Sequence, residues 1–208
     1  MTISDSKRRL VLGGASSLAA GWAAFATSAQ AQPSAAKPAT PPSSPSSPAP
    51  PIIVLNSQDA DVSLIDPVSL AVMGKTAVGK EPHHLYPTPD NRHVVVGNAV
   101  SDSLTLLDPL TGKVAMQIPN VADPYHLGFS PDQNFFVTCA NRLDHVDVYR
   151  RVGDGQQMKL QGLRRFDLAK TPSHLVFDDK SSVVYCTLQE SDELVAIDLG
   201  MQAIKWRT

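Results

Sequence analysis

The chain has 208 residues, 42% of them hydrophobic and 18% charged, with 17 Pro, 12 Gly and 2 Cys. A formal net charge of −2 argues against a basic nucleic-acid binder and against a disordered polyelectrolyte. Two cysteines exclude a disulfide-dense scaffold, a four-cysteine zinc site and a cysteine-held iron–sulfur cluster.

Residues 1–31 read as an export signal. Lys7, Arg8 and Arg9 form a basic start, Leu10 to Ala26 is a weakly apolar stretch diluted by glycine and serine, and Ala29-Gln30-Ala31 supplies a small-x-small cleavage site. An apolar run this short and this rich in Gly and Ser makes a poor transmembrane span. The Arg8-Arg9 pair resembles the twin-arginine signal that carries folded proteins across the bacterial inner membrane, and the general secretory route is the alternative. Either route places the mature chain in the periplasm, starting at Gln32 without a transmembrane span. Residues 32–51 hold 8 Pro, 5 Ser and 4 Ala, the composition of an extended, solvated spacer that buries no core.

From Ile52 onward the sequence repeats. Pro82-His83-His84-Leu85 recurs as Pro124-Tyr125-His126-Leu127 and as Pro172-Ser173-His174-Leu175, at steps of 42 and 48 residues. Thr88-Pro89-Asp90 recurs as Ser130-Pro131-Asp132, and Leu64-Ile65-Asp66-Pro67 recurs as Leu106-Leu107-Asp108-Pro109 and Ala196-Ile197-Asp198, in the same register. Each unit holds four short β runs split by turn residues, without a sustained helical period. Four strands per unit of this length is the arithmetic of a β-propeller blade. The expected fold is therefore all-β, a propeller of four-stranded antiparallel blades at 52–78, 83–118, 125–169 and 173–206. The first of these lacks its inner strand. About four blades so arranged leave the ring incomplete, which predicts that the chain is the N-terminal part of a longer protein.

The runs Val94-Val95-Val96-Gly97-Asn98, Leu104-Thr105-Leu106-Leu107-Asp108 and Phe136-Val137-Thr138 resemble the YVTN-repeat (YncE-like) propellers of bacterial periplasmic and surface proteins. The resemblance covers residues 52–208 and implies a ring of seven blades. It leaves function wide, since such propellers include binding modules, lactonase-like enzymes and haem carriers. Where the family usually has glycine, this chain has His84, His126 and His174.

With the strands of a blade lettered a to d outward from the axis, antiparallel pairing places the starts of the inner strands and the b–c turns on one face of the disc. That face is expected to gather His84, His126 and His174 near the axis, with Asp102, Asp144 and Asp192 in the turns behind them. Imidazoles backed by carboxylates suit ligand binding, a divalent metal, haem, or general acid–base work. The bland alternative is structural: repeated histidines that tie down neighbouring loops, and aspartates that close their own turns. His83 has no counterpart in the other units, so it breaks the symmetry and is a further ligand-binding candidate, whereas His93 and His145 have no special claim. Covalent haem, zinc-helix, serine-elbow and phosphate-loop motifs are absent, so no catalytic residue is assigned. The expected role is a binding module for an unidentified small ligand or periplasmic protein, monomeric at full length. The alternative is a lactonase-like hydrolase, or a haem- or metal-bearing redox propeller using the repeated histidines.

Two further features complete the reading. Cys139 and Cys186 lie one position out of repeat register, so they are expected to point to opposite sheet faces as buried free thiols, disfavouring a disulfide. The third unit carries six extra residues and a basic cluster, Arg142, Arg150, Arg151, Lys159, Arg164 and Arg165, read as a solvated hairpin with an anion patch as the alternative.

Overall fold

The computed structural model describes residues 49–168 and 170–208. Residues 1–48, with the expected export signal and most of the spacer, lie outside the described residues.

Among the described residues, fifteen strands form four antiparallel sheets of strictly local connectivity. The first sheet has three strands, β1 (Ile52–Asn56), β2 (Asp61–Ile65) and β3 (Val72–Ala77). The second runs β4 (Pro82–Pro87), β5 (Val94–Asn98), β6 (Ser103–Leu107) and β7 (Val114–Pro119). The third runs β8 (His126–Phe129), β9 (Phe135–Ala140), β10 (His145–Val152) and β11 (Lys159–Asp167), and the fourth β12 (Pro172–Phe177), β13 (Val183–Leu188), β14 (Glu193–Asp198) and β15 (Ala203–Arg207). These are propeller blades, and β4, β8 and β12 are the inner strands of the second, third and fourth.

The repeated landmarks are turn chemistry. Asp66 Oδ1 accepts from the Val68 and Ser69 N–H groups, Asp108 Oδ1 from those of Leu110 and Thr111, and Asp198 Oδ1 from that of Met201. Each side chain thus closes the turn between the last two strands of its blade. At the turn between the first two strands, Thr88 Oγ1, Ser130 Oγ and Asp178 Oδ1 accept the N–H of His93, Phe135 and Val183. One oxygen at one distance from the backbone suffices, so three residue types share the place. A register shift recurs in the next-to-last strand of every blade, at Leu64/Ile65, Leu106/Leu107, Val148/Tyr149 and Ala196/Ile197. Such bulges strengthen the local twist.

Alternation then stacks the blades. Val96 packs with Val62 and Leu107 against the first blade, while its neighbour Val95 packs with Phe129 and Phe136 against the third. Phe135, Val137 and Cys139 of β9 face Val184, Cys186 and Leu188 of β13 in the third interface. The six extra residues lengthen the outer hairpin of the third blade to strands of 8 and 9 residues, and Met158 beside its tip is buried in the cluster that the second and third blades share.

The cysteines are buried free thiols, as expected, but stacking reverses the inference that opposite faces keep them apart. The front of one sheet meets the back of the next, so side chains on opposite faces of successive blades point at each other. Cys139 Sγ and Cys186 Sγ lie 3.2 Å apart, both fully buried and both free thiols. The offset that argued against a pair is what creates it.

Candidate functional site

The three histidines stand where the chain crosses from the outer edge of one blade to the inner strand of the next. The residue before each landmark proline adopts a left-handed backbone: Glu81 at φ 55, Asp123 at φ 41 and Thr171 at φ 58. L-residues adopt this conformation at a cost of about 1 kcal/mol or more, and for β-branched Thr171 it is a genuine outlier. Register shifts follow at Pro82/His84 and Pro172/Leu175, where bulges re-aim the side chains.

The aspartates hold these crossings. Asp102 and Asp144 sit at φ 48 and 55 in the b–c turns, and their Oδ1 atoms accept the N–H of Asp123 at 2.9 Å and of Thr171 at 2.7 Å. Asp192 takes the same turn conformation, φ 55, and is exposed. Asp123 is fully buried; it accepts the Arg142 backbone N–H at 2.6 Å and pairs with its guanidinium at 3.2 Å, while Arg142 Nη2 donates to the Ala99 carbonyl at 2.7 Å. Burial pushes the Asp123 carboxyl up in pKa, against the pull of Arg142. These carboxylates tie blade to blade at the backbone, and they do not join the imidazoles.

The imidazoles themselves converge. The rings of His84 and His126 lie 4.5 Å apart, those of His126 and His174 4.9 Å, and those of His84 and His174 5.4 Å, although the last two come from non-adjacent blades. One nitrogen from each can be chosen so that all three lie within 4.8 Å of one another, the one such cluster of potential metal ligands among the described residues. His84 and His126 are half-buried and His174 is exposed, so the cluster opens to solvent on one side. His84 Nδ1 lies 2.6 Å from the Tyr125 carbonyl. That oxygen only accepts, so Nδ1 carries the proton and Nε2 keeps its lone pair free. His126 Nδ1 is buried without a hydrogen-bond partner in the protein.

His83 stands one layer out, its Nδ1 3.1 Å from that of His84 and its ring stacked on Tyr125 at 3.8 Å. Tyr125 touches His83, His84 and His174, and sequence reasoning missed it. Its only signal was its place directly before a landmark histidine, a position that is histidine, tyrosine and serine in turn.

The other candidates fall elsewhere. Ser130 follows the last residue of β8 while His126 is its first, so the Phe-Ser-Pro-Asp stretch sits at the far end of the strand from the imidazoles. His145 lies 3.4 Å from Asp147, whose carboxylate takes two hydrogen bonds from Arg165 and one from the Tyr149 hydroxyl. Burial works to raise Asp147, yet Arg165 and His145 hold it at about 2. Of the basic cluster, Arg151 pairs with Asp154, Arg165 with Asp147 and Arg142 with Asp123, while Arg150 and Arg164 lie over Phe135 and Phe166. Five of the six cations are thus engaged, four within the third blade and Arg142 at the crossing from the second.

Burial biases His84 and His126 of the cluster, and their neighbour His83, toward the neutral form. Burial, then the neighbouring histidines, lowers His126 from 6.5 to about 4, and burial first also lowers His84 and His83. Between pH 4 and 6.5 the unfolded chain therefore binds more protons than the folded one, and stability rises with pH. The contribution is whole above about pH 6.5 and is lost as pH falls toward 4. For His126 it amounts to roughly 1–2 kcal/mol once solvent screening at a half-buried group is allowed for. Melting of the metal-free protein should show this slope, and His126→Gln should flatten it. An unchanged slope in the variant contradicts the assignment.

Three imidazoles without a carboxylate suit zinc, copper or nickel. Tetrahedral coordination at 2.0–2.1 Å sets ligand nitrogens about 3.3 Å apart, so side-chain rotations must bring the outermost pair together by about 1.5 Å. The remaining position would face solvent.

A family model described as a YNCE-like beta-propeller matches residues 14–208. No curated protein matches. Among solved structures, the Kuenenia stuttgartiensis hydrazine synthase superposes with a TM-score of 0.60 at 20% identity, over 74% of this chain and 44% of that one. A functionally unknown protein from Desulfotomaculum acetoxidans superposes with a TM-score of 0.54 at 10% identity, over 70% of this chain and 47% of that one. Both likenesses are of fold, and the chain spans less than half the length of either.

Proposed function

We propose, from the premise that the chain belongs to the YNCE-like β-propeller family, that it is an exported periplasmic binding module whose axial face holds one transition-metal ion on His84, His126 and His174. The observation that carries this reading is the convergence of three imidazoles, from three blades, within 4.8 Å. The fixed tautomer of His84 and the unpartnered buried nitrogen of His126 support it. A groove lined by Asn141, Arg142, Asp144, Lys170, Thr171 and Glu190 opens where the third blade crosses to the fourth and offers polar contacts to a small ligand.

Export rests on the basic start, the diluted apolar run and the Ala29-Gln30-Ala31 site; among the described residues no helix is long and apolar enough to cross a membrane. A bare ion is favoured over haem, because imidazole rings in edge contact at 4.5 Å leave no slot for a porphyrin between them. A hydrolase draws no support from the placement of Ser130.

The test is direct. The full chain, stripped with a chelator and dialysed against zinc, copper or cobalt, should retain one ion per chain, and the cobalt form should show the visible d–d absorption of a tetrahedral nitrogen site. Retention well below one ion per chain, equal to that of a His84/His126/His174 triple alanine variant, overturns the reading.

A further inference from the structure

We propose that Cys139 and Cys186 are a blade-locking dithiol, converted to an intramolecular disulfide by exchange with a disulfide donor such as oxidised glutathione. The inference stands apart from the metal reading, because neither thiol belongs to the imidazole cluster.

Geometry carries it. The two sulfurs approach to 3.2 Å across the interface between β9 and β13, and a bond at 2.03–2.05 Å needs about 1.2 Å of closure, within reach of small χ1 rotations. Their neighbours in that interface are apolar, among them Val137, Val146, Val184 and Val195, and the contact competing for Cys186 Sγ is a long 3.7 Å hydrogen bond to the Thr187 carbonyl. The bond would join the second strands of adjacent blades across 47 residues of chain. Cys139 is also the register partner of His126, so the lock would fix the strand behind that imidazole against the blade that carries His174.

The chemistry balances with the donor named. One cysteine sulfur, as thiolate, attacks a sulfur of glutathione disulfide and expels one glutathione thiolate. The second cysteine sulfur then attacks the mixed disulfide and expels the other. The two protons end on the released glutathiones; the cysteine pair is oxidised and the glutathione disulfide reduced. Both sulfurs are fully buried, so the donor reaches them only when blades three and four part.

The experiment uses the full chain in chelator, incubated with oxidised glutathione with and without sub-denaturing urea, then alkylated under denaturing conditions. Expected are a mass lower by two hydrogen atoms, resistance to alkylation, and a tryptic cross-link joining residues 114–142 to residues 181–205. Urea should speed formation several-fold. Reducing the product should lower Tm by roughly 10 °C, the scale expected when a loop of this length is freed in a domain of this size. Cys186→Ala should abolish both the cross-link and the Tm difference, and the reduced wild type serves as a control that does not depend on the variant folding. Two alkylatable thiols after incubation in urea, glutathione adducts or linked dimers as the sole product, or a disulfide form that melts below the reduced one would each overturn the proposal.

Discussion

Replacing His126 by alanine is expected to lower metal affinity by at least about 100-fold, since even partners one layer behind a metal ligand are worth 10–100-fold. His126 is the middle ring of the three, within 4.9 Å of both others, and its loss leaves two imidazoles from non-adjacent blades. His174→Ala should weaken binding in the same direction. His93→Ala should leave it unchanged, because that ring is outside the cluster. The wild-type site should also hold its ion well below the pH at which an ordinary histidine site empties. Protons compete with the metal only once imidazoles protonate, and His126 does so near 4 rather than 6.5. Titration by calorimetry or cobalt absorbance at pH 5 and pH 7 measures both effects. Equal affinity in His126→Ala and wild type removes His126 from the site.

Gly97→Val is expected to cost about 3 kcal/mol of stability and to weaken the metal site at least tenfold. Gly97 pairs with His84 in register, and a Cβ built on it would stand 2.3 Å from the Pro124 carbonyl oxygen and 2.8 Å from Leu127. The first contact is backbone, so the segment that presents Tyr125 and His126 must move, and overpacking of this kind costs 1–3 kcal/mol or more. Gly74→Val is the matched control, because nothing lies within 4 Å of the position its Cβ would take. Denaturant melts of the two variants, with a metal titration of each, give the comparison. Equal stability of both would show that the approach of Pro124 to Gly97 does not constrain the crossing.

The crossing explains why the site tolerates strain. Left-handed residues at 81, 123 and 171 persist because the structure around them over-determines the bend. Asp102 and Asp144 bind the N–H of the strained residue itself, and Asp123 is anchored in turn by Arg142. A carboxylate predicted to back the imidazoles thus acts on the backbone that carries them.

Much of the fold was legible because its determinants are local. Asp66, Asp108 and Asp198 close turns within three residues of themselves, and Thr88, Ser130 and Asp178 within five, so a fixed spacing in sequence is a fixed geometry in space. The alternation that sends Val95 one way and Val96 the other is likewise a property of a single strand. The histidines could be named as candidates because they occupy one landmark in three repeats.

Sequence by itself therefore determined the blade repeat, its strand order and the identity of the three imidazoles, since each follows from interactions along one short stretch of chain. Tertiary structure alone decided that His84 and His174 meet across an intervening blade, that Tyr125 lines the cluster, that the aspartates serve as latches, and that Cys139 and Cys186 touch. The physical reason is common to all four. Each depends on how one sheet is rotated and stacked against the next, and that arrangement is set by apolar side chains interdigitating between blades, which no periodicity within a blade encodes.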